Sequence, residues 1–262
     1  MRVSAPLGRR LLAELVGTAL LVTVVVGSGI AAQQLSPNDV GLQLLENSTA
    51  TMLGLAVLII LFGPMSGAHF NPVVSGADWL LGRRAGTGLS GRDVAAYTLA
   101  QCLGAIVGAL LANAMFELAI LQISTKARAG VGHWIGEIVA TAGLIALIFT
   151  LARTGRASVS GGAVGAYIGA AYWFTSSTSF ANPAVTVGRI FSDTFAGIAP
   201  ASAPGFVVAQ LVGAGLGAGL VLALYPDVGR GASAEVVPRD TDHRGDPSSP
   251  VTTAAWSTQS DI

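Results

Sequence analysis

Six apolar runs punctuate the chain, at residues 11–31, 48–67, 94–116, 134–152, 159–178 and 205–225. Each is close to the length of about 20 residues that a helix needs to cross a hydrocarbon core, so the pattern predicts an all-α membrane protein with six transmembrane helices. Two shorter apolar stretches interrupt the series, and each opens on Asn-Pro: Asn71-Pro72 follows Gly-Ala-His-Phe, and Asn182-Pro183 follows Ser-Phe-Ala. Asn is a strong helix N-cap and Pro is favoured at the first helical position, so both dipeptides predict helix starts. Neither stretch is long enough to span a bilayer. Two short helices beginning in this way predict re-entrant half-helices that meet near the bilayer centre.

An internal repeat organises these elements. Ala-Glu-Leu-Val-Gly-Thr-Ala from Ala13 matches Gly-Glu-Ile-Val-Ala-Thr-Ala from Gly136, which sets Glu14 against Glu137 at a separation of 123. Asn71 and Asn182 are 111 apart, and Gln101 and Gln210 are 109 apart. Three landmarks therefore recur in one order, giving a first repeat at about 11–116 and a second at about 132–225. Three spans per repeat is an odd number, so the second repeat must enter the membrane from the opposite side. Gly104 and Gly108 match Gly213 and Gly217, one Gly-x-x-x-Gly per repeat, the spacing that lets two helices pack closely.

Composition supports the membrane class, with 52% hydrophobic and 11% charged residues. A net charge of zero without a long basic run argues against a nucleic-acid partner. The single cysteine, Cys102, excludes an intrachain disulfide, and no spacing among the three histidines predicts a metal site. No cofactor is expected. If the N-terminus is cytoplasmic, eleven of the Lys and Arg residues fall on that side, against Lys126, Arg128 and Arg189 outside. The positive-inside rule then places both termini in the cytoplasm, with residues 1–10 as a short N-terminal segment and 11–225 as the membrane domain. Residues 226–262, rich in Ser, Thr, Asp and Pro, lack an apolar period and are expected to be a disordered cytoplasmic tail.

Glu14 with Gly17-Thr18, the Gly-Ala-His-Phe-Asn-Pro box, the Gln101 helix, Glu137 and the second Asn-Pro-Ala together resemble the aquaporins, the major intrinsic proteins. The resemblance covers residues 11–224 and implies the aquaporin fold, a homotetramer with one pore per subunit in the cell membrane, and lipid as its surroundings. Two half-helices with N-termini meeting at the midplane focus positive dipole ends on the pore between them. Asn71 and Asn182 can cap their own helices through the side-chain oxygen while their amides donate to a passing molecule, and backbone carbonyls before each Asn can form a ladder of acceptors. The boxes are thus Asn71-Pro72-Val73 and Asn182-Pro183-Ala184, the first ending in Val where the family commonly has Ala.

Two intramembrane carboxylates raise a choice. Glu14 and Glu137 are either proton relays or, as the resemblance implies, acceptors that support the re-entrant loops. His69 either lines the pore or satisfies loop backbone. Counting by the family's spacing puts the selectivity filter at Thr51, Ala170, Ser179 and Val185. All four are small, and Val185 stands where most family members have an arginine, so the expected constriction is wide and uncharged. Arg189, four residues further on, is the candidate substitute for that charge; a lipid-interface or loop arginine is the alternative. The expected function is a passive channel for small uncharged solutes such as glycerol and water, and neutral metalloid hydroxides such as arsenite. A closed structural member of the family and a secondary transporter are the alternatives. An enzyme is not expected, because no nucleophile, base and orienter can be assembled from these residues.

Overall fold

The computed structural model describes residues 5–83 and 86–226, so residues 1–4 and the tail expected at 226–262, apart from Pro226, lie outside the described residues. Eight α-helices fall within them: α1 (Leu7–Leu35), α2 (Val40–Ser66), α3 (Pro72–Gly82), α4 (Gly91–Met115), α5 (Val131–Arg153), α6 (Ser160–Phe174), α7 (Pro183–Gly188) and α8 (Ala203–Leu224). Five of these, α1, α2, α4, α5 and α8, belong to helical stretches long and apolar enough to cross a bilayer. The sixth span is α6, whose 15 residues are preceded by a 3-10 turn at Ala157–Val159. α3 and α7 are the two half-helices.

Several helices run past the apolar stretches because polar residues at their ends are satisfied inside the fold. α2 starts at Val40, capped by Asp39, whose carboxylate accepts from the Leu42 N–H at 2.9 Å. Its first turns bury Gln43 and Asn47, which donate to the Ser36 and Val25 carbonyls at 2.8 and 2.9 Å. α1 begins early enough to bury Arg10, which donates to the Tyr97 hydroxyl at 2.8 Å and pairs with Asp93 at 3.5 Å.

The repeat is visible in the packing. α1 packs on α4 and α2, and α5 packs on α8 and α6, while α2 against α6 joins the halves. The two Gly-x-x-x-Gly pairs set the closest approaches: a Cβ at Gly104 or Gly108 would strike the Leu15 or Ala19 carbonyl of α1, and one at Gly213 or Gly217 would strike the Ile138 or Ala142 carbonyl of α5. Leu15 and Ala19 occupy the places in repeat one that Ile138 and Ala142 occupy in repeat two. Backbone contact at both seams leaves the outer helix faces lined with exposed aliphatic side chains such as Leu53, Val57 and Ile60.

Substituting Gly217 by Ala should therefore cost about 1–3 kcal/mol through overpacking against backbone. Gly215→Ala, on the same helix with open space around the added methyl, should be neutral or stabilising by up to about 1 kcal/mol. Thermal unfolding of the two purified variants in detergent checks the contrast; equal melting temperatures would contradict the close approach.

Candidate functional site: the paired half-helices and the cavity between them

Both half-helices begin as the Asn-Pro pattern predicts. Asn71 and Asn182 are extended N-caps, and Pro72 and Pro183 are the first residues of α3 and α7. The Asn71 side-chain oxygen accepts from the Val73 N–H at 3.1 Å; that of Asn182 accepts from Ala184 and Val185 at 2.9 and 3.2 Å. The amides do more than face a passing molecule. Asn71 Nδ2 donates to the Ala181 carbonyl at 2.8 Å, and Asn182 Nδ2 donates to the Phe70 carbonyl at 2.7 Å. Each Asn thus ties its own helix start to the loop of the opposite repeat, and its second amide hydrogen remains for the cavity.

The loops before the boxes use left-handed backbone. Ala68 and Phe70 have φ of 50° and 49°, and Ser179 and Ala181, 111 residues on, both have φ of 47°. Such conformations cost about 1–3 kcal/mol each for residues other than glycine, so something must hold them. Glu14 and Glu137 do so. Glu14, fully buried, accepts from the His69 and Phe70 N–H groups at 3.0 and 2.7 Å, from Ser66 at 2.6 Å and from Gln101 at 2.8 Å. Glu137 accepts from the Phe180 and Ala181 N–H groups at 2.9 and 2.8 Å and from Gln210 at 2.6 Å. The two carboxylates point their lone pairs at corresponding atoms of the two repeats.

A single cavity passes both boxes. Its wall includes His69, Asn71, Asn182 and the backbone segments 68–70 and 179–181, and about 60 Å³ of it is open to the centre of a water molecule, room for a file of about four to six waters. The transmembrane helices face it with stripes spaced four residues apart: Thr51, Leu55 and Ile59 on α2, and Val164, Ile168 and Tyr172 on α6. His69 Nδ1 lies 3.0 Å from the Ser75 hydroxyl, which also receives Gln101 Nε2 at 3.1 Å. The ring is thereby oriented by the same glutamine that holds Glu14.

The expected filter is corrected at one position and in its character. Thr51, Ser179 and Val185 line the cavity, but Ala170 does not; it is exposed on the far face of α6. At about 100° per residue, Ala170 sits about 200° from the wall residue Tyr172. Tyr172 is the α6 wall residue at that level, its hydroxyl 3.2 Å from that of Thr51. Arg189 is on the wall as well, 1% exposed, just beyond the end of α7. A phenol and a guanidinium therefore stand on the wall together with the small side chains of Thr51, Ser179 and Val185, so the wall carries a cation. The signal for Tyr172 was present in the four-residue spacing from Val164 and Ile168.

Residues outside the expected set hold this charge. The Phe180 ring centroid lies 3.4 Å from Arg189 Cζ and 5.1 Å from Arg128 Cζ, so one ring meets two guanidiniums. Arg189 Nε donates to the Ala196 carbonyl. Lys126, in the loop between α4 and α5, donates to the Phe195 carbonyl at 2.8 Å. Its partial burial, with Arg128 and Arg189 nearby, pushes its ammonium down to about 8.

The arrangement is that of an all-helical membrane pore built from an inverted repeat around two opposed half-helices. The model of the major intrinsic protein family matches residues 2–180. The chain is 52% identical over 208 residues to aquaglyceroporin AqpS of Rhizobium meliloti (strain 1021), covering 79% of this chain and 86% of that protein. It is 31% identical over 219 residues to a probable aquaporin, AqpM, of Archaeoglobus fulgidus, covering 73% and 86% of the two chains. The fold matches the X-ray structure of the aquaglyceroporin from Plasmodium falciparum with a TM-score of 0.63 at 18% identity, over 85% of this chain and 99% of that one. The protein belongs to the major intrinsic protein family.

Two outcomes follow from the loop supports. Glu137→Ala leaves two backbone N–H groups and the Gln210 amide without their acceptor, a loss expected to exceed about 3 kcal/mol from unsatisfied donors alone, while Glu137→Gln should be intermediate. Melting temperatures of the three proteins in detergent check the order. Lys126 supplies a pH dependence: its amine binds a proton less readily in the fold than in the unfolded chain, so unfolded protein holds more protons between about pH 8 and 10.5. Stability should rise through that window, and the rise should be smaller in Lys126→Met. A melting profile of the variant parallel to wild type from pH 8 upward would contradict this.

Proposed function

We propose that the protein is a passive channel for small uncharged solutes, namely glycerol and water, with neutral metalloid hydroxides such as arsenite in the same class of size and charge. The single observation that supports this is one continuous cavity running past both Asn amides, with no carboxylate on its wall among the described residues. A solute in this file gives up water on one side to aliphatic stripes and regains hydrogen bonds on the other. The Asn71 and Asn182 amides donate to its oxygen, and loop carbonyls accept from its hydroxyls. The positive ends of α3 and α7 oppose cations at the midplane. The Rhizobium relative is an aquaglyceroporin by name, which agrees with glycerol as a solute.

Arg189 takes over the charge that the family resemblance assigns to the position of Val185. One helical turn beyond the box, it presents a fixed cation and hydrogen-bond donors to the file, with Thr51, Tyr172 and Ser179 as the other polar wall groups. Glu14 and Glu137 act as loop supports, since among the described residues their hydrogen bonds run to the loops, Ser66 and the two Gln side chains. The excess of Arg on one side supports both termini in the cytoplasm and the mouth near Lys126 outside, in the cell membrane. The cavity lies within one chain, which fits a homotetramer with a pore in each subunit. Turnover chemistry has no place in this reading.

Stopped-flow light scattering on proteoliposomes tests it, comparing water, glycerol and neutral arsenite in wild type and Val185→Arg, with proton leak in wild type and Arg189→Ala read from an entrapped pH-sensitive dye. Wild type should pass glycerol and water. Arg189→Ala should raise proton or cation leak by about tenfold or more, through loss of the barrier charge. Passage of water alone removes the glycerol assignment, and an unchanged leak in Arg189→Ala removes the relocated charge. Absence of any flux would move the protein to the closed structural class.

A further inference from the structure

Three cations gather at the outer mouth, and they are not equivalent. Arg128, 6% exposed, donates to the Gly197 carbonyl at 2.8 Å, the Phe195 carbonyl at 3.1 Å, and the Ser177 carbonyl and Thr178 hydroxyl at 3.4 Å. Lys126 donates to the Phe195 carbonyl and lies 4.7 Å from the Phe195 ring centroid. Both are tied to loop backbone. Arg189 is on the pore wall, and its protein acceptors are the Ala196 carbonyl and the Tyr172 side chain. Two acceptors for five N–H donors leave donors for something in the cavity.

Nearby negative charge does not balance the cluster. Glu137 is occupied by the backbone of residues 180 and 181 and by Gln210. Asp193 accepts from the Thr125 N–H and hydroxyl, and among the described residues it forms no ion pair with the three cations. Lining the same cavity is Ser179, 3% exposed and next in sequence to the Phe180 that Arg189 covers, and its hydroxyl has no hydrogen-bond partner within the protein. A buried hydroxyl without a partner is costly, and so is uncompensated buried charge. One kind of ligand removes both costs. It brings acceptor oxygens and a negative charge, it is planar enough to meet a guanidinium fork, and it has only a few heavy atoms, because the file is narrow.

We propose that the outer mouth binds a small trigonal oxyanion, of the nitrate or carboxylate kind, on the Arg189 guanidinium and the Ser179 hydroxyl, and that the bound anion closes the file to neutral solutes. The closure half rests on the channel reading; the binding half does not. The anion stops at this level because the aliphatic stripes beyond it offer no replacement for its hydration. Lys126 and Arg128, held back by their carbonyls, contribute attraction at a distance and so favour entry from the outside.

Nitrate is the probe, since it stays ionised and cannot cross as a free acid. Nitrate and chloride at equal ionic strength are compared in two assays: thermal unfolding in detergent, and sucrose-driven water flux in proteoliposomes. Nitrate should raise the melting temperature of wild type relative to chloride and inhibit water flux saturably from the Lys126 side. Ser179→Ala should raise the half-inhibiting concentration by about tenfold, and Arg189→Met should abolish both effects. If Arg189→Met fails to fold, Ser179→Ala alone decides. Equal nitrate effects in wild type and Ser179→Ala overturn the site, and no effect on wild-type melting or flux overturns the proposal outright. Stabilisation without inhibition overturns the closure half. A wild type that passes no water defeats the channel reading, and the melting shift then decides the anion site by itself.

Discussion

Backbone without helical hydrogen bonds cannot be left unpaired in the middle of a membrane, and the rest of this structure is arranged to meet that constraint. Half-helices that stop at the midplane free the backbone of the preceding loops. Water is not at hand on the protein side to satisfy it. Glu14 and Glu137 supply the acceptors, each gripping two consecutive loop N–H groups, and Gln101 and Gln210 hold the carboxylates in turn. With the N–H groups turned inward, the left-handed residues on the loops can leave carbonyls on the cavity side. The carboxylates are therefore a condition for the acceptor ladder, although neither lines the cavity.

The second consequence is that the two repeats cannot move independently at the boxes. Asn71 bonds the Ala181 carbonyl and Asn182 the Phe70 carbonyl, so each Asn position depends on the loop held by the other repeat's glutamate. A disturbance at Glu14 would reach Asn182 through Phe70. The glycine seams serve the same end, since α1 and α5 carry the glutamates and are fixed against α4 and α8, which carry the glutamines. Sequence separation is large in every one of these bonds, yet each closes within one symmetrical frame.

Much of this frame was legible in the sequence because it is written in residues with strong local meaning. Asn-Pro announces a helix start wherever it stands, and the recurrence of Glu, Asn and Gln in one order announces the repeat. What lay hidden is of two kinds. Helix ends such as Val40 extend through polar residues whose partners, Ser36 and the Val25 carbonyl, become adjacent only when the helices pack. The filter failed at Ala170 because counting from a loop through the bend before Asn182 loses helical phase, and an error of two residues turns a wall position into a lipid-facing one. Arg128 and Lys126 gave no signal either; they lie in an ordinary polar loop, and only the fold brings them against Phe180 and Phe195.

The placement of charge at the filter follows from geometry as an alternative between two sites. Val185 and Arg189 are four residues apart, neighbours on one face about one turn from each other. Cations at both places would repel across a low-dielectric wall, with Arg128 already behind Phe180. A chain that carries its arginine at 189 therefore gains by having an aliphatic residue at 185, and one with arginine at 185 would gain by losing it at 189. The move also changes what anchors the guanidinium. At 189 it meets the face of Phe180 and the Ala196 carbonyl, so the loop after α7 helps to hold this charged wall residue. In the proposed channel Val185 and Arg189 therefore form a coupled pair, in which the charge at one position decides what the other can carry.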